Sequence, residues 1–171
     1  MPELEKSVKH PISLPESVWR ALEASAKDRR METRELIQKV LEDFLLEKEN
    51  TLPPKTRQDI IDRRWLIDRV KEAAMSLCRS GQFASSLISD AIVQCEGDPE
   101  WAARYTAYVR DDMYKHGNPR KDINRDFGWH IIRSVGGVGV KKDDKPSFKT
   151  VKGHVFQSYT ELRSFDADLV N

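Results

Sequence analysis

Hydrophobic positions along the chain fall into blocks with distinct periods. From Lys6 to Leu14 (KSVKHPISL) the apolar residues Val8, Ile12 and Leu14 lie two or four apart, which puts them on one face of a strand. Pro15 and Glu16 suit the first turn of a helix, and Val18, Trp19, Leu22 and Ala26 continue it as a helical stripe. The stripe breaks at Asp28-Arg29-Arg30-Met31. A second helix is predicted from Thr33 as N-cap, with Leu36, Ile37, Val40, Leu41, Phe44 and Leu45 at helical spacing, closing in the charged stretch EKEN.

Thr51-Leu52-Pro53-Pro54 marks a boundary, because consecutive prolines cannot continue a helix and favour extended backbone. Thr56 to Arg79 then reads as one long helix stopped by Ser80-Gly81. Phe83 to Cys95 forms the next, with Ala84, Leu87, Ile88, Ala91, Ile92 and Cys95 on one face. Asp98-Pro99 and Asn118-Pro119 each pair an N-cap with proline at the first helical position, opening helices whose inward rows hold Trp101 and Tyr105, then Ile123, Phe127 and Ile131. The last ends at Gly136-Gly137. Beyond it the pattern turns strand-like, with Phe148 to Val151 and His154 to Tyr159 joined by Lys152-Gly153 as a tight hairpin turn. The expected fold is mainly α: an N-terminal two-helix unit (1–50) led by a short strand, a linker (51–55), a connecting helix (56–82), a helical domain ending in a β-hairpin (83–162), and a tail (163–171).

A strand with no partner in its own unit leaves backbone donors and acceptors unmet. Antiparallel pairing with a second copy completes the ladder, so the first unit is expected to dimerise through that strand. On these residues, ISLPESV running into a helix and TRELIQKVLEDFL after a short turn, the segment 6–48 resembles the ribbon-helix-helix repressors, the family of Arc and MetJ. The resemblance implies an intermolecular β-ribbon entering the major groove of double-stranded DNA, with a phosphate held at the start of the second helix. Carried over, Lys9, Pro11 and Ser13 occupy the groove-facing positions, with Lys6 and His10 as further candidate contacts to DNA, Ile12 and Leu14 face inward, and Thr33 and Arg34 occupy the phosphate clamp. Two positions depart from the pattern. Arg29-Arg30 stands where the family has a glycine turn, and Pro11, lacking an N–H, either takes a non-bonded ladder position or weakens the ribbon.

The later part carries its own resemblance. Tyr105 and Tyr108, Gly117-Asn118-Pro119, Ile123, Phe127-Gly128, Gly136-Gly137 and VKGHVFQSY, across residues 84–160, look like the winged-helix domain at the C-terminus of phage and plasmid primase-helicases. No GxxxxGK[ST] phosphate loop is present, so helicase activity is not implied. A winged helix implies Lys121, Asn124 and Arg125 on a recognition helix, with Lys149 and Lys152 on the wing alongside Lys141, Lys142 and Lys145. Gly128 leaves room for a close backbone approach.

Net charge is only +1, yet its distribution is uneven: residues 1–50 hold 9 basic and 11 acidic side chains, residues 119–154 hold 9 and 4. The 39% hydrophobic and 33% charged content belongs to an ordered globular chain. With no long apolar stretch or leader-like N-terminus, the expectation is a cytoplasmic protein without membrane contact. Cys78 and Cys95 fit reduced core thiols, and the histidines at 10, 116, 130 and 154 lack ligand spacing, so neither a metal nor another cofactor is expected. Trp101 and Trp129 are expected in the core. No nucleophile-base pair or paired-carboxylate motif points to an enzyme. The function expected is a dimeric, sequence-specific transcriptional regulator, a repressor. The alternatives are an antitoxin or other adaptor gripping a protein partner through its C-terminal part, and an accessory DNA-binding factor in plasmid or phage replication, partition or transfer.

Overall fold

A computed structural model describes residues 11–29, 31–48, 51–109 and 119–170. The chain is mainly helical with small antiparallel β ribbons, and it divides into two units, Met1–Pro53 and Pro54–Asn171. Among the described residues no helix is long and apolar enough to cross a membrane.

The first unit is a helical hairpin of α1 (Glu16–Asp28) and α2 (Thr33–Glu47). Pro15 sits at the N-cap, and its carbonyl accepts the amides of Val18 and Trp19 at 3.0 Å each. The Arg29 turn manages without glycine: Arg29 has φ −87° and ψ 1°, and the Met31 amide reaches back to the Ala26 carbonyl at 2.9 Å. The cap of α2 is Glu32, one residue before the expected Thr33. Its carboxylate accepts the backbone N–H of Glu35 while the Glu35 carboxylate accepts that of Glu32 at 3.4 Å, a reciprocal capping box. Only Ala26 and Leu36 are buried among the described residues of this unit.

The second unit is built on α3 (Pro54–Arg79), whose inward face repeats every three to four residues through Asp62, Leu66, Val70, Ala74 and Cys78. The expected connecting helix therefore supplies core to this unit. Around it pack α4 (Leu87–Glu96), α5 (Pro99–Val109), α6 (Pro119–Ser134) and the short α7 (Ala167–Val170). Trp101 and Tyr105 of α5 stack at 5.0 Å between ring centroids, and Phe127 of α6 tilts against Trp101 at 5.8 Å. Asp98 caps α5 as expected, accepting the amides of Glu100 at 2.9 Å and Trp101 at 3.5 Å, and the Glu100 bond holds its carboxyl below the usual carboxylate range. Ion pairs tie α3 to its neighbours: Arg63 to Asp126 of α6 at 2.7 Å, Arg104 of α5 to Asp62 at 3.2 Å, and Arg69 to Asp98 at the cap of α5 at 3.4 Å.

The helix expected from Phe83 starts at Leu87. Residues 83–86 are drawn off by tertiary contacts, with the Phe83 ring 4.9 Å from Phe165 and the Ser85 carbonyl accepting the Leu162 amide at 3.0 Å. The end of α6 is a Schellman motif: Gly137 N–H bonds the Ile132 carbonyl at 2.7 Å and Gly136 N–H bonds Arg133 at 3.3 Å, with Gly136 at φ +58°.

The expected single hairpin is replaced by three two-stranded antiparallel ribbons. These are β1 (Val138–Gly139) with β6 (Leu162–Ser164), β2 (Lys141–Lys142) with β3 (Lys145–Pro146), and β4 (Phe148–Thr150) with β5 (Ser158–Thr160). They meet at a cyclic junction in which Val140 N–H donates to Glu161, Glu161 N–H to Ser147, and Ser147 N–H to Val140, at 2.8, 3.2 and 2.8 Å. Asp143 and Asp144, at φ 52° and 58°, make the tight turn of the second ribbon. Lys152-Gly153 is not a tight turn. The third ladder ends at Thr150↔Ser158, leaving 151–157 as a loop that carries Phe156 into the core at 2% exposure.

Candidate nucleic-acid interface

The expected groove-reading positions divide by description. Lys6, Lys9 and His10 lie outside the described residues. Pro11 and Ser13 are exposed, and residues 11–14 form no ladder within their own chain. Ile12 and Leu14, expected to face inward, are 57% and 37% exposed in the single chain.

The start of α2 is set differently from a phosphate clamp. Arg34 is exposed and Thr33 half-buried, as a clamp requires, but two end-of-helix amides, those of Glu32 and Glu35, are taken by the Glu35 and Glu32 carboxylates. A phosphate at the helix start would lie beside these two carboxylates, which weakens the attraction of the helix terminus.

On α6, burial of Ile123, Phe127 and Ile131 turns Lys121 and Arg125 to solvent, with Arg125 held 3.2 Å from Asp122. Asn124 is corrected. Its side-chain oxygen accepts the Tyr105 hydroxyl at 3.1 Å and its amide donates to the Val155 carbonyl at 2.9 Å, so both ends of the group that would read a base are engaged internally. Glu96 completes this clasp on the 151–157 loop, taking the Val155 amide and the His154 Nδ1 at 2.6 Å each. Burial raises the Tyr105 hydroxyl above its ordinary range, which keeps it a donor.

Trp129 is a second correction. It is 37% exposed on α6, with the Arg133 guanidinium 4.5 Å from its ring centroid and His130 edge-on at 4.7 Å, whereas Trp101 is fully buried as expected. The residue after it in sequence, His130, packs into lower-polarity surroundings, and burial, then Arg63, depress its pKa to about 4.

The lysines fall on the ribbons. Lys141, Lys142 and Lys145 are exposed on the second, Lys149 is exposed on the third with Glu161 at 3.8 Å, and Lys152 is exposed in the following loop. Five lysines against two aspartates over 141–152 give this region a positive bias. The aspartates sit at the tip of the second ribbon, so the basic surface lies along the arms.

Cys78 and Cys95 are free and buried, and burial pushes the Cys95 thiol up to about 11, the environment of an unreactive core thiol. Among the described residues no group of three or more His, Cys, Asp or Glu is placed to hold a metal ion. Sequence reasoning missed Glu96, whose role depends on a loop 58 residues away, and Phe148, which stands 64% exposed; the signal for Phe148 was an isolated apolar residue in a polar run. Compared with known proteins, the chain matches no family model, and no curated protein or solved structure matches it.

Proposed function

We propose that the chain is a homodimeric, sequence-specific double-stranded DNA-binding protein used as a transcriptional repressor, assembled by its first unit in the ribbon-helix-helix manner. The observation that carries this reading is the unmatched apolar surface of the helical hairpin. Ala26 and Leu36 are buried, while Val18, Trp19, Val40, Leu41 and Phe44 are 41% to 51% exposed. Full burial of such side chains stabilises by about 1.5–3 kcal/mol each, so covering the exposed half of five contributes on the order of 5 kcal/mol per protomer. For a pair this is comparable with the roughly 4–15 kcal/mol lost in association, so further contacts are needed, and an intermolecular ribbon over residues 6–14 supplies them.

The second unit is read as winged-helix-like, with the helix α6 followed by lysine-bearing β arms. Because Asn124 is engaged internally, its DNA contacts fall to Lys121, Arg125 and the arm lysines, which favour phosphates over base edges. Sequence preference then resides in the ribbon.

Sedimentation equilibrium and selection from a random duplex pool test this together. A dimer is expected at micromolar concentration, with Phe44→Asp converting it to monomer and abolishing selection of a twofold-symmetric site. Lys9→Ala with Ser13→Ala should broaden the selected sequence. Lys149→Ala with Lys152→Ala should instead lower the salt slope of log K by about 2, at roughly 0.9 per phosphate contact. A wild-type monomer at tens of micromolar, or a dimer untouched by Phe44→Asp, overturns the proposal.

A further inference from the structure

The β arms carry features that binding an intact duplex does not explain. In the second ribbon Lys142 is directly opposite Lys145, and Lys141 is opposite Pro146. Like charges facing each other across a ladder are destabilising, and none of these three lysines has an ion-pair partner among the described residues. An anion lying over the pair removes the repulsion. One residue beyond the junction at Ser147 stands Phe148, the most exposed large apolar side chain described and no part of the core cluster. The ladder register puts Thr150, Ser158 and Thr160 on its face of the third ribbon, while Lys149 lies on the other. The chain between Lys145 and Phe148 spans at most about 10 Å, so the cations and the ring lie within reach of one short ligand.

A polyanion with flat, apolar faces matches this set. In a duplex the base faces are stacked on one another and only edges reach the grooves, so an exposed phenyl ring finds its match on unpaired bases. We propose that the β arms bind single-stranded nucleic acid, with the facing pair Lys142 and Lys145 on the phosphates, Phe148 stacked on a base and the neighbouring hydroxyls available to its polar edge. This rests on the reading of the chain as a nucleic-acid binder and is independent of how the first unit dimerises. It gives the second unit a ligand of its own: strand opened beside the duplex site.

Fluorescence anisotropy of the full chain with labelled oligothymidylate, which forms no duplex, and with the selected duplex separates the two activities. Phe148→Leu keeps an apolar side chain but no ring, and should weaken oligothymidylate binding about 5- to 100-fold while leaving duplex affinity unchanged. Phe148→Tyr should bind like the wild type. Lys142→Ala with Lys145→Ala should reduce the single-strand salt slope by about 1.4, at roughly 0.7 per phosphate. Unchanged urea midpoints will show that the variants fold. Oligothymidylate binding that ignores Phe148→Leu, or equal losses for that variant on both ligands, overturns the single-strand site. Failure to bind oligothymidylate with duplex binding intact overturns it alone, whereas failure on both ligands overturns the functional proposal as well.

Discussion

The same substitution, glycine to alanine, should act with opposite signs at two positions eight residues apart in sequence, Gly128 inside α6 and Gly136 just past its end. At Gly136 the backbone has φ +58°, and an added Cβ would lie 2.6 Å from the Asp166 Cβ and 2.7 Å from the Leu169 Cδ1. A left-handed alanine costs about 1–2 kcal/mol, and overpacking of this kind adds about 1–3. Relaxation is restricted because the Asp166 amide donates to the Val135 carbonyl at 2.9 Å, so moving its Cβ strains the bond that docks the chain before α7. Gly136→Ala should therefore destabilise the second unit by roughly 2–5 kcal/mol. At Gly128 no heavy atom lies within 4 Å of an added Cβ, and removing glycine from a helix interior should stabilise by about 0.5–1 kcal/mol. Urea unfolding followed by tryptophan fluorescence reports mainly on the second unit, which holds three of the four tryptophans, Trp65, Trp101 and Trp129. A loss under about 1 kcal/mol for Gly136→Ala, or any loss for Gly128→Ala, refutes the reasoning. Duplex affinity measured on Gly128→Ala adds a functional reading: if nucleic acid approaches α6 closely at that point, affinity falls in a variant that is more stable.

Other outcomes follow from the second unit. Asn124→Ala should lower stability by about 1–2 kcal/mol, since it strips the Val155 carbonyl and Tyr105 hydroxyl of a partner, and should leave the selected duplex sequence unchanged; a changed sequence with unchanged stability would return Asn124 to base reading. Glu96→Ala should free the 151–157 loop, seen as faster hydrogen exchange at the Val155 amide, and slow exchange in that variant would show that the loop is held by other contacts. His130 has a depressed folded pKa of about 4 against an ordinary 6.5, so between those values the unfolded chain binds a proton that the folded chain refuses. Its contribution is complete above pH 6.5 and declines as pH falls toward 4; His130→Gln should flatten that part of the stability profile in urea titrations, and an unchanged profile would contradict the assignment.

Periodicity alone settled much of the fold. Apolar residues recurring every three or four positions placed the helices because such spacing makes one buried face whatever it packs against, and α6 buries the expected Ile123, Phe127 and Ile131. Local punctuation was equally legible: Asp98-Pro99 starts α5 and Gly136-Gly137 ends α6 through bonds made within a few residues. What tertiary structure decided are the features whose partners are distant in sequence. The delayed start of α4 depends on Leu162 and Phe165, the long loop after β4 carries Phe156 into a core built from distant helices, and Asn124 is withdrawn from the surface by Tyr105 and Val155. Three short ribbons replace one hairpin because the Val140, Ser147 and Glu161 amides close a ring of hydrogen bonds that no local pattern encodes. A sequence states which side of an element is apolar and where its ends are satisfied; which polar group is spent internally, and which is left for a ligand, is settled only when remote segments arrive beside it.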